Sequence, residues 1–159
     1  MAYSPTQKSA WDYWLVGIQA LLGLAYLLPV GAYWPEALPI MPGWLAGLAI
    51  GLGLFMGGNG LWQIREHLSP FPSPKAHAQL VTDGAYALVR HPIYTGIVLI
   101  LAGYALYSAH AYRLGITGLL LLLFYFKSGY EERKLLVMFP EYAWYKKRVG
   151  RLWPRLPRR

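Results

Sequence analysis

Long uncharged stretches separated by short polar segments set the pattern of this chain. A helix needs about 20 apolar residues to cross the hydrocarbon of a bilayer, and four stretches approach that length. The first lies between Tyr13 and Tyr33, and the second runs from about Gly43 to Ile64 after the Pro39 and Pro42 breakers. The third starts at Pro92, a residue suited to the first helical position, and ends near His110. A fourth spans Arg113 to Ser128 but holds only 13 uncharged residues, Leu114 to Phe126, so a full crossing requires Arg113 and Lys127 to snorkel outwards. The pattern predicts an all-α integral membrane bundle forming one domain over residues 1–159, with spans at about 13–33, 43–64, 92–110 and 113–128. A cytoplasmic loop over 75–92 and a cytoplasmic C-terminal region over 129–159, carrying an amphipathic helix, complete it. The first apolar run lacks a small-residue cleavage site before Pro35 and is followed by further spans, so it is expected to be retained.

Composition agrees with this reading. The chain is 56% hydrophobic and 14% charged, with a mean hydropathy of +0.31, an unusual balance for a water-soluble domain of this size. Seven Trp and 13 Tyr suit the headgroup boundary, and the absence of Cys excludes disulfides, thiolate metal sites and a Cys nucleophile. The net charge of +8 is concentrated at the end, because ten of the last 33 residues, from Lys127 to Arg159, are Lys or Arg. Lys8 precedes the first span, the Tyr33 to Pro42 loop has no basic residue, and Arg65, Lys75 and Arg90 lie between the second and third spans. Both termini are therefore expected to be cytoplasmic, with Arg113 the one exception to the bias. Interleaved with Phe139, Tyr142, Trp144, Tyr145 and Trp153, the basic tail points to anionic lipid headgroups and away from nucleic acid, although positive-inside topology alone accounts for its charge.

Within the second span, Gly47 and Gly51, then Gly53 and Gly57, recur at the spacing that lets helices approach closely. Asn59 and Gln63 are costly in hydrocarbon and should face a bundle interior or cavity, where they either line a tunnel or join two helices. Gly51-Leu52-Gly53 and Gly57-Gly58-Asn59-Gly60 lack the strand that a nucleotide-binding loop requires. His67, His77 and His91 show no zinc-binding spacing, and Ser69, Ser73 and Ser108 no nucleophile elbow, so no metal site and no serine triad is expected.

The remaining chemistry gathers at Arg90-His91-Pro92-Ile93-Tyr94 and at Glu131-Glu132. A connection of barely three residues, Ala111 to Arg113, makes spans three and four an antiparallel hairpin with adjacent cytoplasmic ends. Arg90, His91, Tyr94, Lys127 and Glu131 can then converge. The plain alternative is that Arg90 and Glu131 form an ion pair closing the hairpin while Pro92 only starts a helix.

The run Gln79-Leu80-Val81-Thr82, Gly84, Tyr86, Arg90-His91-Pro92 and Tyr94-Thr95-Gly96, followed by Glu131-Glu132, Phe139, Tyr142, Tyr145 and Lys146-Lys147-Arg148-Val149, resembles the isoprenylcysteine carboxyl methyltransferase family, to which phospholipid N-methyltransferases are related. The match covers roughly residues 75 to 154. The resemblance implies an S-adenosylmethionine-dependent methyltransferase without a soluble Rossmann domain, acting on a lipophilic acceptor, either an isoprenylcysteine-like carboxylate or a lipid amine. Its cofactor contacts fall on Gln79, Leu80, Val81, Gly84, Tyr86, Ala87, Leu88, Val89, His91, Pro92, Tyr94, Leu99, Ile100, Leu101, Ala102, Glu131 and Glu132, and the reacting end on Lys127, Glu131 and Arg90. S-adenosylhomocysteine would be the product, and membrane lipids the surroundings. Lys127 stands where the family places an Arg facing the substrate carboxylate, and an ammonium offers a point charge in place of a planar fork. A carboxylate acceptor needs no base, whereas an amine or phenol would call on Glu131, Glu132, His91 or Tyr94. The acceptor would enter laterally from the bilayer and the cofactor from the cytoplasm. An NADPH-dependent membrane reductase of the sterol reductase type and a non-catalytic lipid-binding protein are the rival readings.

Overall fold

A computed structural model describes residues 6–30, 41–66, 68–75 and 77–155. Among the described residues six helices follow one another: α1 (Ala10–Leu27), α2 (Gly43–Gln63), α3 (Ala85–Leu88), α4 (Pro92–Tyr107), α5 (Ala111–Met138) and α6 (Tyr142–Arg148). Among the described residues there is no strand, only an isolated parallel bridge between Val89 and Gly150.

The helix ends differ from the expected spans in instructive ways. Leu28 turns extended before Pro29 and closes α1, while residues 31–33 of the expected first span lie outside the described residues, as do Pro39, His67, Arg158 and Arg159. Ser108 bonds its hydroxyl back to the Tyr104 carbonyl and Ala109 takes a positive φ of 53°, so α4 ends before His110. Ala111 to Arg113, expected as the hairpin connection, already belong to α5, and residues 108–110 make the turn. The expected short fourth span is part of one continuous 28-residue helix, about 42 Å long, that carries Glu131 and Glu132 beyond the apolar run.

Among the described residues α2 alone combines span length with span hydropathy, and α4 is apolar but shorter. By length and composition one of the four expected spans is thus met among the described residues, and the other three are not shown by that test. Outward-facing Leu21, Leu24, Leu48, Leu54, Phe55, Leu122 and Phe126 nevertheless leave apolar faces on α1, α2 and α5.

Packing centres on two seams. A Cβ at Gly96 would stand 2.6 Å from the Gly53 carbonyl oxygen and 2.8 Å from the Gly57 Cα, so the backbones of α2 and α4 touch only because these positions are glycine. Gly47 and Gly51 meet nothing and play no part in that seam. On the other side Tyr26, Val98, Ile116, Leu120 and Phe124 form the core of α1, α4 and α5. Tyr26 donates to the Leu101 carbonyl and Tyr112 to the Ala25 carbonyl, so each phenol buried against its neighbour finds a backbone acceptor. Asn59 faces outwards and satisfies itself on the Phe55 carbonyl of its own helix, leaving it no part in a tunnel.

Candidate functional site

The site is built where the chain enters α4. Gly84 adopts a φ of 55°, a left-handed turn that L side chains resist, and Gln63 braces it by donating to the Asp83 carbonyl and accepting from the Ala85 amide. After the single turn of α3, Val89 is extended and fully buried. The Arg90 amide donates to the Gly150 carbonyl (2.9 Å), the His91 amide to that of Arg151 (3.1 Å), and the Thr95 hydroxyl to that of Leu152 (2.8 Å). Pro92 then opens α4 at the position where a missing N–H costs nothing. The C-terminal arm is thereby stitched alongside the Arg-His-Pro turn.

Glu132 closes this arrangement from α5. Its carboxylate, fully buried, receives Arg90 Nη2 at 2.7 Å and Nε at 2.9 Å, Lys146 Nζ at 3.1 Å, His91 Nε2 at 3.3 Å and Arg151 Nε at 3.4 Å. Burial pushes the carboxyl up, but the hydrogen bonds from His91 and Arg90 and the charge of Arg90 outweigh it and hold the group well below the usual carboxylate range. Arg90 also donates to the Lys146 and Val149 carbonyls. The ion pair closing the hairpin is thus Arg90 with Glu132, and not with Glu131, which is one residue round the helix.

That rotation frees Glu131. Its Oε2 accepts from the Tyr94 hydroxyl at 3.2 Å and lies 3.8 Å from His91 Nδ1. The rings of His91, Tyr94 and Phe124 stack nearly parallel, with centroids 5.5 and 4.6 Å apart, which fixes both polar partners. Burial raises the Glu131 carboxyl above its ordinary value, with His91, Lys127 and Tyr94 only partly opposing. One turn before Glu131 on α5, Lys127 donates to Gln19 Oε1 (2.6 Å) and to the Pro70 carbonyl (3.0 Å) and lies over the Tyr94 ring. Among the described residues no carboxylate reaches ion-pair distance of this ammonium.

These groups open on a cavity of about 340 Å³. Of the sequence-predicted residues, Gln79, Leu80, Val81, Tyr86, Arg90, His91, Tyr94, Lys127 and Glu131 line it. The others stand back from it. Gly84 shapes the turn, and Val89 and Glu132 are buried in the clamp. Leu88 is exposed, and Ala87 beside it is not a wall residue. Pro92 packs where Gly60 has no side chain, Ile100 packs against Gly53, and Leu99, Leu101 and Ala102 lie higher on α4.

Part of the wall was not expected from the sequence: Gln19 from α1, the Pro70 to Pro74 loop and Leu135, while Tyr142 and Tyr145 belonged to the quoted motif but had no site role. The loop is held by Asp12, whose carboxylate accepts from Ser73 (2.7 Å) and pairs with Lys134 (3.1 Å), all three being buried. Burial would raise Asp12, yet bonds from Ser73, the Ser9 backbone and Lys134 bring it down to about 2. A lone amide at Gln19 inside an apolar run was the available signal, the same one that drew notice to Asn59 and Gln63.

Tyr142 is the second-to-none buried wall residue by volume, and among the described residues its hydroxyl is the one buried side-chain polar atom without a hydrogen-bond partner. Burial, reinforced by Glu132 and opposed by Arg90, pushes this phenol far up, so it is a neutral donor. Cavity size, a carboxylate and an ammonium held by neutral oxygens suit a polar group beside an apolar one.

The phospholipid methyltransferase family pattern matches residues 42–141, well over half of the chain, and covers the Arg-His-Pro turn, Lys127 and both glutamates. No curated protein matches the chain. The chain therefore belongs to the phospholipid methyltransferase family, a family of membrane methyltransferases acting on lipids.

Proposed function

From this family membership we propose that the chain transfers a methyl group from S-adenosylmethionine to a lipophilic acceptor, in the cavity between the Arg-His-Pro turn and α5. The observation that carries the reading is the division of labour between the adjacent glutamates: Glu132 is consumed in a clamp of Arg90, Lys146 and Arg151, and Glu131 is left facing the cavity. A structural pair alone would need only one of them.

The residues present fit the cofactor. The carboxylate at Glu131 offers an acceptor, and Gln79, Leu80, Val81 and Tyr86 offer a mixed wall for a nucleoside. When bound, S-adenosylmethionine supplies an electrophilic methyl on sulfur, open to in-line displacement. Glu131 accepts charge-assisted hydrogen bonds from the cofactor's amino group or ribose hydroxyls. Tyr94 and His91 hold that carboxylate in place through the ring stack. The Pro70 to Pro74 loop, pinned by Asp12 and Lys134, covers the cavity and excludes water from the reacting end.

Gln19, Ile93, Ile97 and Lys127 also line the cavity, and on this reading they meet the acceptor's head. Lys127, without a carboxylate partner among the described residues, meets an anionic group there: the carboxylate of an isoprenylcysteine-like acceptor, or the phosphate beside a lipid amine. Positioning is then the main source of rate. For an amine, Glu131 or His91 stands within the site to take the proton. On this reading α1, α2, α4 and α5 all cross the membrane, their outward leucines facing lipid, with the basic C-terminal region on the cytoplasmic side.

The test is a transfer assay in nanodiscs with methyl-labelled S-adenosylmethionine and a panel of a prenylated cysteine, phosphatidylethanolamine and a quinol-like phenol. Label should pass to one acceptor and be lost in Glu131→Ala and Lys127→Ala. Label reaching no lipid, or reaching it equally well in both variants, would refute the assignment.

A further inference from the structure

Asp12 and Gln19 lie seven residues apart on α1, close to two turns, and so share a face; Lys127 and Lys134 stand likewise on α5. The two faces meet antiparallel. Lys134 Nζ lies 3.1 Å from Asp12 Oδ2, Lys127 Nζ donates to Gln19 Oε1 at 2.6 Å, and a further seven residues along α1 Tyr26 shares a core with Leu120. Asp12, Lys127 and Lys134 are each no more than 1% exposed, an unusual concentration of charge in one helix seam.

The loop from Pro70 to Pro74 lies across both polar rungs. Ser73 donates to Asp12 Oδ1 at 2.7 Å and accepts from Lys134, while three residues earlier the Pro70 carbonyl accepts from Lys127 at 3.0 Å. Between these ends the Phe71 ring packs edge-on to Tyr13, with centroids 5.1 Å apart, and lies under the Lys8 ammonium. Pro70, Pro72 and Pro74 fix φ at every second residue, so the segment is stiff and the position of Ser73 is transmitted to the Pro70 carbonyl. An ammonium has three protons, and Gln19 and Pro70 take two of those on Lys127.

We propose that Asp12 and Ser73 are positioning residues for Lys127: their bond holds the Pro70 carbonyl where it fixes the ammonium in the cavity wall. The inference rests on the reading above that Lys127 meets the acceptor's anionic group, and adds the residues that keep it in place. Neither Asp12 nor the Ser73 hydroxyl needs to touch a ligand.

Two measurements on the full chain in nanodiscs test it, with Ser73→Ala as the main variant because it leaves the Asp12–Lys134 pair intact. Acetic anhydride labelling of the ligand-free protein, read by peptide mass spectrometry, should modify Lys127 about tenfold faster in Ser73→Ala than in the wild type, with exposed Lys147 labelled alike in both. Unchanged labelling of Lys127 would overturn the proposal. Methyl transfer from labelled S-adenosylmethionine is then followed with phosphatidylethanolamine, a prenylated cysteine and a quinol-like phenol as acceptors. Ser73→Ala should lower kcat/KM for the acceptor that takes label by about tenfold, the loss of one hydrogen bond to a charged group, yet change it less than twofold in a Lys127→Met background. Equal losses in both backgrounds would overturn the proposal and leave the loop a cover independent of Lys127. Affinity of Ser73→Ala for S-adenosylhomocysteine should stay within threefold of the wild type; a tenfold fall would assign the loop to the cofactor and also overturn it. Asp12→Asn, where it folds, should lose transfer as Ser73→Ala does, and wild-type kcat/KM in that variant would count against the proposal. Transfer to no acceptor by the wild type would remove the methyltransferase reading, the labelling of Lys127 then deciding the positional claim by itself.

Discussion

Replacing Glu132 by Gln isolates the clamp from the chemistry. The side chain keeps its shape and one oxygen for Arg90, so no cavity opens, but the charge that balances Arg90, Lys146 and Arg151 disappears from a fully buried position. Removing one partner of a buried ion pair costs about 3–5 kcal/mol, and retention of one hydrogen bond places this case near the lower end. The strain falls on the C-terminal arm, because its carbonyls at Gly150 and Arg151 receive the Arg90 and His91 amides. Hydrogen exchange measured by mass spectrometry reads that seam directly: a loss of about 3 kcal/mol lowers protection of the Arg90 and His91 amides by roughly 10²-fold. Amides within α2 and the middle of α4, joined through Gly53 and Gly96, should keep their protection. Protection at Arg90 and His91 within threefold of the wild type would refute the reasoning, and would mean that the arm is held by its backbone bonds alone.

Glu131→Gln should do the opposite to stability and more to binding. Burial lifts the folded-state pKa of Glu131 above its unfolded value, so the stability linked to its proton is complete below the unfolded pKa and lost as pH rises through the folded one. Ionisation in the folded state is therefore a net cost, and Glu131→Gln should melt higher than the wild type above the ordinary carboxylate range, the difference vanishing below about pH 4. The same variant should lose about tenfold or more in S-adenosylhomocysteine affinity, and a gain in both stability and affinity would contradict the assigned role. Gly96→Ala should cost about 1–3 kcal/mol, because the new methyl meets backbone of α2 that has nowhere to go, whereas Gly51→Ala should be neutral in the same thermal melts.

How much of this was legible in the sequence follows from what each feature depends on. Apolar runs found α2 to within a residue, since a helix buried in hydrocarbon needs little beyond length and hydropathy. The convergence of the Arg-His-Pro turn with α5 was also readable, because a three-residue turn leaves two helices no alternative to an antiparallel hairpin. Which glutamate faces Arg90 was not, as adjacent positions on a helix differ by about 100° and only the packed register decides between them. Gln19 and Asp12 were missed because they reach the site from a distant element, through contacts that no local period encodes. Of the four glycines at four-residue spacing, Gly53 and Gly57 meet α4 and Gly47 and Gly51 do not, since helical spacing defines a stripe but not its partner.

The central claim, that this cavity holds an S-adenosyl cofactor through Glu131, is most directly tested by calorimetric titration of the purified wild type and Glu131→Ala with S-adenosylhomocysteine and, in parallel, with NADPH. The wild type should bind S-adenosylhomocysteine saturably, Glu131→Ala should lose at least tenfold in affinity, and neither should bind NADPH. Binding of NADPH alone, or of neither ligand, would contradict it.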